Sequence, residues 1–274
     1  MGNPLQQYFR QPKIYIKLPS GGLFSKTGTF QGDLTRMPIY GMTGMDEIIL
    51  KTPDALLSGE STARVIESCC SSINDAWEIS TLDTNAILAA IRIATFGPTL
   101  SIKHVCSKCQ TENEYDIDLN KIMEFYGNCK YDNKIVLDQM TIKLQPLTYR
   151  LSNEYSLKNF NLQQRLRQTE AITDRDQQQQ MINALFKELG EMQNEIYLAS
   201  VEAIELRDAV VTERQYINEF LRNCDSEIFD AIKKKNEQNR DTWAMPLFPV
   251  TCGNCAAEVN LSVDLDESSF FARA

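Results

Sequence analysis

The sequence has little of three features that often reveal what a protein does. Its one histidine, His104, means that a catalytic triad or a multi-histidine metal site would have to use that residue. No apolar run approaches the ~20 residues of a membrane-spanning helix, and no export signal is found at the N-terminus. Basic residues are in deficit, with 28 Lys and Arg against 37 Asp and Glu. The net charge of −9 argues against a protein whose main task is to bind phosphate backbones.

What remains is a globular composition. Of the 274 residues, 43% are hydrophobic and 24% are charged, which excludes disordered and collagen-like chains. At ~150 residues per domain, this length allows two domains at most. We expect the chain in a reducing cytoplasm, where its eight cysteines are thiols or metal ligands rather than disulfides.

Strands are predicted where apolar and polar residues alternate. Residues 12–18 show this period and 38–40 form a second short extended segment. Residues 135–137 and 140–144 flank a polar turn and predict a hairpin. Because the rest of the pattern is largely helical, we expect an α+β, helix-rich fold.

Helices are predicted over most of 43–100. Ser61 or Thr62 is the expected cap of one helix. Another runs from about Asp83, an acidic N-cap candidate, to residue 96 and is ended by Gly97.

The second half of the chain is predicted to be polar, Gln-rich and helical over 151–207. Thr212 and Gln215 form a capping-box candidate for the next helix. A last helix is expected to carry the three lysines at 233–235 near its end, where cations suit the helix dipole.

One stretch of the Gln-rich region has apolar residues in steps of three and four. They are Met181, Leu185, Leu189, Met192, Ile196, Ala199 and Ala203. This spacing makes a narrow seam that receives another helix, most often one of the same domain. The alternative is a partner-binding surface on the first five of these residues, for another protein or for self-association.

Two Cys-x-x-Cys pairs dominate the sequence, and the residues after each pair are also similar. The first pair is Cys106 and Cys109, and the second is Cys252 and Cys255. Counted from the second cysteine of each pair, Glu112 corresponds to Glu258, Tyr115 to Leu261, Ile117 to Val263, Asp118 to Asp264 and Leu119 to Leu265. We interpret this as an internal repeat of one unit, a metal knuckle on a hairpin.

The cysteine spacing predicts a structural zinc site. Two residues between cysteines let both thiolates face one ion, and two such turns supply the tetrahedral S₄ shell that Zn²⁺ favours. Residues 110–251 separate the pairs, far more than the 15–20 residues of a compact zinc ribbon. Closing that loop costs roughly 4–5 kcal/mol, against an apparent ~10–16 kcal/mol for structural Zn²⁺ binding.

The predicted architecture is therefore a split zinc ribbon with a long, mainly helical insertion. Its boundaries are 1–100 for an N-terminal strand and helical region, 101–120 and 251–274 for the two ribbon halves, and 121–250 for the inserted module. Zinc would fix both ends of the insertion, so that its helices form a rigid docking arm.

Other interpretations of the cysteines are weaker. Bare thiols without metal are one, and a redox pair is another, although strands rather than a helix follow both pairs. Catalytic zinc would need an open coordination position, which four cysteines do not leave. His104 could replace a ligand but is better explained as an exposed strand-edge residue. Four further cysteines lack ligand spacing and are expected to be small buried residues: Cys69, Cys70, Cys129 and Cys224.

A nucleic-acid-binding zinc ribbon is the alternative function. It predicts a basic, aromatic face near the knuckles, where the sequence offers Lys103 and Lys108. Acidic residues outnumber them: Glu112, Glu114, Asp116, Asp118, Glu258, Asp264 and Asp266. The charge balance therefore disfavours this alternative.

Several blocks of the first 120 residues follow the pattern of one known family. They are NPL at 3–5, YFR at 8–10, KIYIKLPSGG at 13–22, PIYGMTGMDE at 38–47, IILKTPDALLSG at 48–59, AIRIATFG at 90–97, and the first cysteine pair with Asp118 and Leu119. On these blocks the chain resembles the baseplate hub family of T-even-like contractile-tailed bacteriophages. The resemblance is most specific over 46–59 and does not extend to the Gln-rich region.

The resemblance implies a non-enzymatic phage tail protein that is part of the baseplate hub or assists its assembly. Its partners would be other hub or tail proteins. Its location would be the host cytoplasm during assembly, or the tail baseplate of the virion. The residues taken alone agree in class, since they indicate an acidic, zinc-stapled protein with a helical docking surface and no catalytic constellation.

Overall fold

A computed structural model of the chain describes residues 4–51, 59–263 and 271. The chain divides into two compact units. Unit 1 comprises Met1–Cys129 and Trp243–Ala274, and unit 2 comprises Lys130–Thr242, so unit 2 is an insertion in the sequence of unit 1. Most of the block at 48–59, and both Asp264 and Asp266, lie outside the described residues.

The described residues form a mixed fold of helices and small sheets, as expected. The helices are α1 (Gly44–Leu50), α2 (Glu60–Cys69), α3 (Thr81–Phe96), α4 (Asn120–Asn128), α5 (Tyr149–Gln168), α6 (Arg175–Ser200), α7 (Arg214–Asn223) and α8 (Ser226–Thr242). The strands are β1 (Ile14–Ile16), β2 (Met37–Ile39), β3 (Thr99–Val105), β4 (Glu112–Asp118), β5 (Lys134–Val136), β6 (Met140–Leu144), β7 (Val201–Leu206), β8 (Val210–Val211), β9 (Phe248–Thr251) and β10 (Glu258–Leu261). All the sheets are antiparallel, and their strand orders are β1–β2, β3–β4, β9–β10 and β5–β6–β7–β8.

Helix α3 lies in the core of unit 1, and each of its ends has a cap. Gly97 ends it with a φ of 93°, a conformation that residues with a Cβ rarely adopt. The prediction of Asp83 as the N-cap was wrong, because the cap is Ser80, whose hydroxyl accepts the Leu82 N–H. Asp83 lies in the first turn, fully buried, and accepts hydrogen bonds from the N–H (2.8 Å) and hydroxyl (2.5 Å) of Ser20.

Three of the sequence blocks that carry the resemblance meet around Arg10. Its guanidinium donates to the Gly41 carbonyl at 2.8 Å and lies 3.4 Å from the carboxylate of Asp46. Asp46 in turn accepts the Thr43 N–H in the capping box that starts α1. A Cβ on Gly41 would lie 3.0 Å from the carbonyl oxygen of Ala94, so this close approach to α3 favours glycine. The N-terminal segment is thus tied into the core of unit 1.

Two other predicted caps were also wrong. Helix α2 begins after Gly59, which has a φ of 75°, and no side chain caps it. Ser61 and Thr62 are buried in the first turn of α2, where the Ser61 hydroxyl donates to a neighbouring carbonyl. Helix α7 has Glu213 as its N-cap without a side-chain bond, so the capping box expected at Thr212 does not form. Both helices therefore begin without a side-chain cap.

Unit 2 is organised around the four-stranded sheet, of which only the β5–β6 hairpin was predicted. Residues 201–207 were expected to be helical, but 201–206 form β7, which pairs with β6. Ile135, Ile142 and Ile204 lie opposite one another in register and are buried with α7 and α8. Helix α6 therefore ends at Ser200, because the next segment contains the β-branched residues Val201 and Ile204 and pairs with β6, which is distant in sequence.

Helices α5 and α6 form an antiparallel hairpin in unit 2. Leu162 of α5 is buried with Leu185 and Met192 of α6. Arg165 pairs with Glu188 at 2.6 Å and Lys158 pairs with Glu195 at 3.0 Å, across the two helices. The apolar seam and these surface pairs together hold the hairpin.

In each unit, a side-chain contact joins residues near the two places where the chain passes from one unit to the other. In unit 1, the rings of Tyr126 and Trp243 stack with centroids 6.0 Å apart. In unit 2, Asn239 donates to the Asp132 carbonyl at 2.9 Å and accepts the Asp132 N–H at 3.1 Å. Residues near the start and the end of the insertion are therefore neighbours within unit 2.

Helix α8 continues beyond its predicted end. The three lysines at 233–235 lie inside the helix, which runs on to Thr242. Asn239 in the later part of α8 is buried and forms hydrogen bonds with Asp132, and the Lys235 ammonium pairs with the Asp132 carboxylate at 2.5 Å, so both contacts hold this part of α8 to the start of unit 2. None of the described helices is long and apolar enough to cross a membrane.

Candidate metal centre

The two cysteine pairs lie at the turns of two hairpins of unit 1. Strands β3 and β4 pair from Thr99–Asp118 to Val105–Glu112, and Cys106 and Cys109 lie in the turn between them. Strands β9 and β10 pair from Phe248–Leu261 to Thr251–Glu258, and their turn carries the second cysteine pair. The sequence repeat is therefore also a structural repeat, a hairpin with a Cys-x-x-Cys turn.

The two turns have the same backbone. In the first, the Gln110 N–H donates to the Cys106 carbonyl at 2.9 Å, and in the second the Ala256 N–H donates to the Cys252 carbonyl at 3.0 Å. The N–H of the first cysteine then donates to the carbonyl five residues on, at 3.0 Å and 2.9 Å. Gln110 and Ala256 have φ values of 58° and 55°, so both turns use a left-handed residue directly after the second cysteine.

The turns bring four sulfur atoms together. The candidate ligand atoms of Cys106, Cys109, Cys252 and Cys255 all lie within 4.8 Å of one another. The Cys106 and Cys255 sulfurs are 3.7 Å apart, and the Cys109 and Cys252 sulfurs are 3.6 Å apart. A tetrahedral S₄ shell with bonds of ~2.3 Å has sulfur–sulfur edges of ~3.8 Å, whereas a disulfide bond is ~2.05 Å long. The cluster could therefore hold a metal ion, and its cysteines are free thiols.

The four sulfurs differ in exposure and in the hydrogen bonds they receive. Cys106 and Cys252 are buried, Cys109 is half-buried and Cys255 is exposed. Hydrogen bonds from the Thr111 hydroxyl and N–H lower the pKa of Cys109 to about 6. The N–H groups of Cys255 and then Asn254 lower the pKa of Cys252. The Ala257 N–H favours the Cys255 thiolate, but contacts with the other cysteine sulfurs, first that of Cys109, raise the pKa of Cys255 to about 11.

Tyr115 places a polar atom beside the cluster. Its hydroxyl oxygen is buried and has no hydrogen-bond partner among the described residues. Burial and then the charges of the four cysteines raise the pKa of Tyr115. A buried hydroxyl without a partner costs free energy, so the surroundings of the cluster are not wholly apolar.

Side chains also connect the second turn to the first hairpin. The Asn113 amide oxygen accepts the Gly253 N–H at 3.1 Å, and its nitrogen lies 3.4 Å from the Cys252 sulfur. The Asn254 amide donates to the Thr111 hydroxyl at 3.0 Å. Sequence reasoning missed these residues, because asparagine and threonine near a turn are common and only the fold shows what they face.

The five residues predicted as a partner surface differ in how far they are buried. Leu185 and Met192 are buried against α5, and Leu189 and Ile196 are half-buried beside them. Met181 is the most accessible of the five, at 39% exposure. Within the hairpin, the seam is thus filled mainly by α5.

The remaining candidates have local explanations. His104 is half-buried in β3 opposite Asn113. Of the cysteines without ligand spacing, Cys69 and Cys70 are buried as expected, whereas Cys129 and Cys224 are half-buried. None of these residues belongs to the four-sulfur cluster.

Comparison with known proteins gives one match. A family model described as T4 bacteriophage base plate protein matches residues 42–272. This span includes all four clustered cysteines and the whole of unit 2, which the resemblance over residues 3–120 left unplaced. Searches of the curated proteins and of the solved structures found no match.

Proposed function

The chain belongs to the family of T4 bacteriophage base plate proteins, and from this premise we propose that it acts in the baseplate hub, as a hub subunit or as a factor that assembles the hub. The sequence blocks at 3–22, 38–59 and 90–97 support the narrower assignment. Arg10 contacts Gly41 and Asp46, and Gly41 lies close to Ala94 of α3. Residues from three of these blocks are therefore neighbours in unit 1.

The metal is proposed to be a structural Zn²⁺. Four thiolates at tetrahedral spacing match the ligand set and geometry that zinc prefers. A shell of four protein ligands leaves no position for a substrate or a reactive water, so the site is assigned to folding rather than to catalysis. On this proposal the protein is not an enzyme. The ion joins strands that precede unit 2 in the chain to strands that follow it.

The surface for other tail proteins is proposed to lie on the α5–α6 hairpin. Although its seam is filled, the hairpin carries four large apolar side chains that are exposed: Phe160, Leu166, Met181 and Phe186. Aromatic and methionine side chains are enriched at protein–protein interfaces. Partners of this hairpin would be hub or tail proteins in the host cytoplasm during assembly, and in the tail baseplate if the protein stays in the virion.

The charges around the cluster support a protein partner over a nucleic acid. Glu112, Glu114, Asp116 and Asp118 are all exposed and alternate along β4, so they lie on one face of that strand. A phosphate backbone would be repelled by this row of carboxylates.

Two measurements test the proposal. A pull-down from infected cells, compared with the proteins of purified particles, is expected to recover hub or other tail proteins. Presence in the particles assigns a hub subunit, and absence from them with capture of hub proteins assigns an assembly factor. Capture of no tail protein, together with absence from particles, contradicts the proposal. Native mass spectrometry is expected to show one zinc per chain, and a metal-free chain that is stably folded contradicts the zinc assignment.

A further inference from the structure

The two Cys-x-x-Cys turns share a backbone but not their side-chain surroundings. Counted from the second cysteine, Asn113 of the first repeat corresponds to Val259 of the second, and Thr111 corresponds to Ala257. Valine and alanine side chains have no hydrogen-bonding groups. The side chains of Asn113 and Thr111 therefore make bonds to the second turn that Val259 and Ala257 cannot make to the first.

Asn113 makes the most direct of these connections. It lies on β4, and its amide oxygen accepts the Gly253 N–H at 3.1 Å. Its amide nitrogen donates to the Thr111 carbonyl at 3.0 Å and lies 3.4 Å from the Cys252 sulfur, within hydrogen-bonding range for sulfur. One side chain thus holds both the backbone and a ligand atom of the second turn. The fit at Gly253 is close, since a Cβ there would lie 3.4 Å from the Asn113 oxygen.

We infer that Asn113 is a positioning residue of the metal centre, which docks the second Cys-x-x-Cys turn on the first hairpin and donates an N–H···S hydrogen bond to Cys252. The inference rests on the metal site of the proposed function and adds a residue that the cysteine spacing does not reveal. The Gly253 bond orients the second turn, and the N–H···S bond stabilises the thiolate form that binds a cation.

The expected consequence is a loss of metal affinity without loss of a ligand. Removing a partner that orients a metal ligand typically weakens binding 10–100-fold. In Asn113→Ala both bonds are lost, so we expect zinc affinity to fall by about this factor. In Asn113→Asp the oxygen that accepts the Gly253 N–H is kept, but the donor to Cys252 is replaced by a carboxylate. This variant should bind zinc at least as weakly as the alanine variant, because negative charge faces the thiolates.

The experiment uses the full-length protein and measures Zn²⁺ affinity by competition with a chromophoric chelator. Binding of Co²⁺ is followed in parallel through its thiolate charge-transfer band, which a purely structural role would leave unchanged. Asn260→Ala is the matched control, since Asn260 is an exposed asparagine on β10. The control is expected to bind both ions like the wild type.

Each outcome has a distinct meaning. Weaker zinc binding and a shifted Co²⁺ band in Asn113→Asp, with the control unchanged, support the inference. Wild-type affinity and spectrum in Asn113→Asp overturn it while leaving the zinc site intact, and this variant decides the matter if Asn113→Ala does not fold. A wild-type chain that binds neither ion overturns the zinc assignment itself, and this inference with it.

Discussion

The two units of the chain differ in whether charged side chains are buried. Among the described residues, the buried charged side chains are Asp46, Glu78, Asp83 and Arg92, all in unit 1. The four-sulfur cluster also lies in unit 1, as do the described residues other than glycine that have a positive φ: Phe24, Gln110 and Ala256. In unit 2, the ion pairs between α5 and α6 lie on the surface, and the buried residues of the core around the four-stranded sheet are aliphatic. The stability of unit 1 should therefore depend on metal and pH, and that of unit 2 on apolar packing.

The largest expected effect is the loss of the metal shell from unit 1. In Cys252→Ser, one of four ligands is removed from a site whose apparent binding free energy is ~10–16 kcal/mol in zinc-folded peptides. This binding free energy is as large as the whole ~5–15 kcal/mol stability of a typical domain, so unit 1 should no longer unfold cooperatively. Hydrogen exchange is expected to show lost protection in β3, β4, β9 and β10, with protection kept in Lys130–Thr242.

A matched control is Cys224→Ser, which removes a half-buried thiol of unit 2 outside the cluster. This variant should keep one metal per chain and its exchange pattern. Equal loss of protection in both units of Cys252→Ser would show that the units do not differ in their dependence on metal.

The next effect is the response of unit 1 to pH through Asp83. Burial raises the pKa of this carboxyl to about 6, against the opposing effect of its bonds from Ser20. Because the folded pKa is above the unfolded value of 3.8, folding favours the protonated form. Its contribution to stability is present below pH 4 and is lost as the pH rises through 6, amounting to about 3 kcal/mol.

Asp83→Asn should remove this dependence, since an amide cannot ionise, keeps one oxygen to accept the Ser20 N–H and can donate its NH₂ to the Ser20 hydroxyl oxygen. The stability of the variant minus that of the wild type is expected to rise between pH 4 and pH 7, measured by denaturant unfolding. Asp116→Asn, at an exposed strand position of unit 1, is the control for the replacement of a carboxylate by an amide. A constant difference between Asp83→Asn and wild type across this range contradicts the role given to burial.

Unit 2 should respond instead to the removal of apolar volume. Leu185 is 3% exposed in the seam of the α5–α6 hairpin, whereas the adjacent Phe186 is 58% exposed. Leu185→Ala should cost about 2–3 kcal/mol of unfolding free energy, and Phe186→Ala within about 0.5 kcal/mol. Hydrogen exchange should localise the first loss to α5 and α6. A larger loss in Phe186→Ala than in Leu185→Ala would mean that the seam is not the hairpin core.

The sequence was most informative where the determinants are local. The cysteine spacing and the repeat after it are short-range features. They predicted two similar turns on two hairpins, and in the structure the four cysteines of these turns lie together. The apolar steps from Met181 to Ile196 likewise correspond to one face of α6, since helical period is a local property.

What could not be predicted depends on residues far apart in the chain. Ala203 fits the helical steps, yet β7 forms because β6 offers a pairing edge about 60 residues earlier. Ser80 and Asp83 are both good N-cap residues, and burial of Asp83 against Ser20 decides between them. Asn113 could not be recognised from the sequence, because its partner Gly253 is 140 residues away in the chain and only the fold brings the two together.

The smallest effect concerns the left-handed residues of the two turns in unit 1. Gln110 and Ala256 have φ values of 58° and 55°, a region that costs residues with a Cβ about 1 kcal/mol or more. Ala256→Gly should therefore stabilise the metal-loaded protein by up to about 1 kcal/mol, because glycine adopts this conformation without strain. The same substitution in the interior of α3, Ala94→Gly, should destabilise it by about 1 kcal/mol. Denaturant unfolding of both variants gives the signs directly, and destabilisation by Ala256→Gly would show that the turn backbone holds no strain that glycine can relieve.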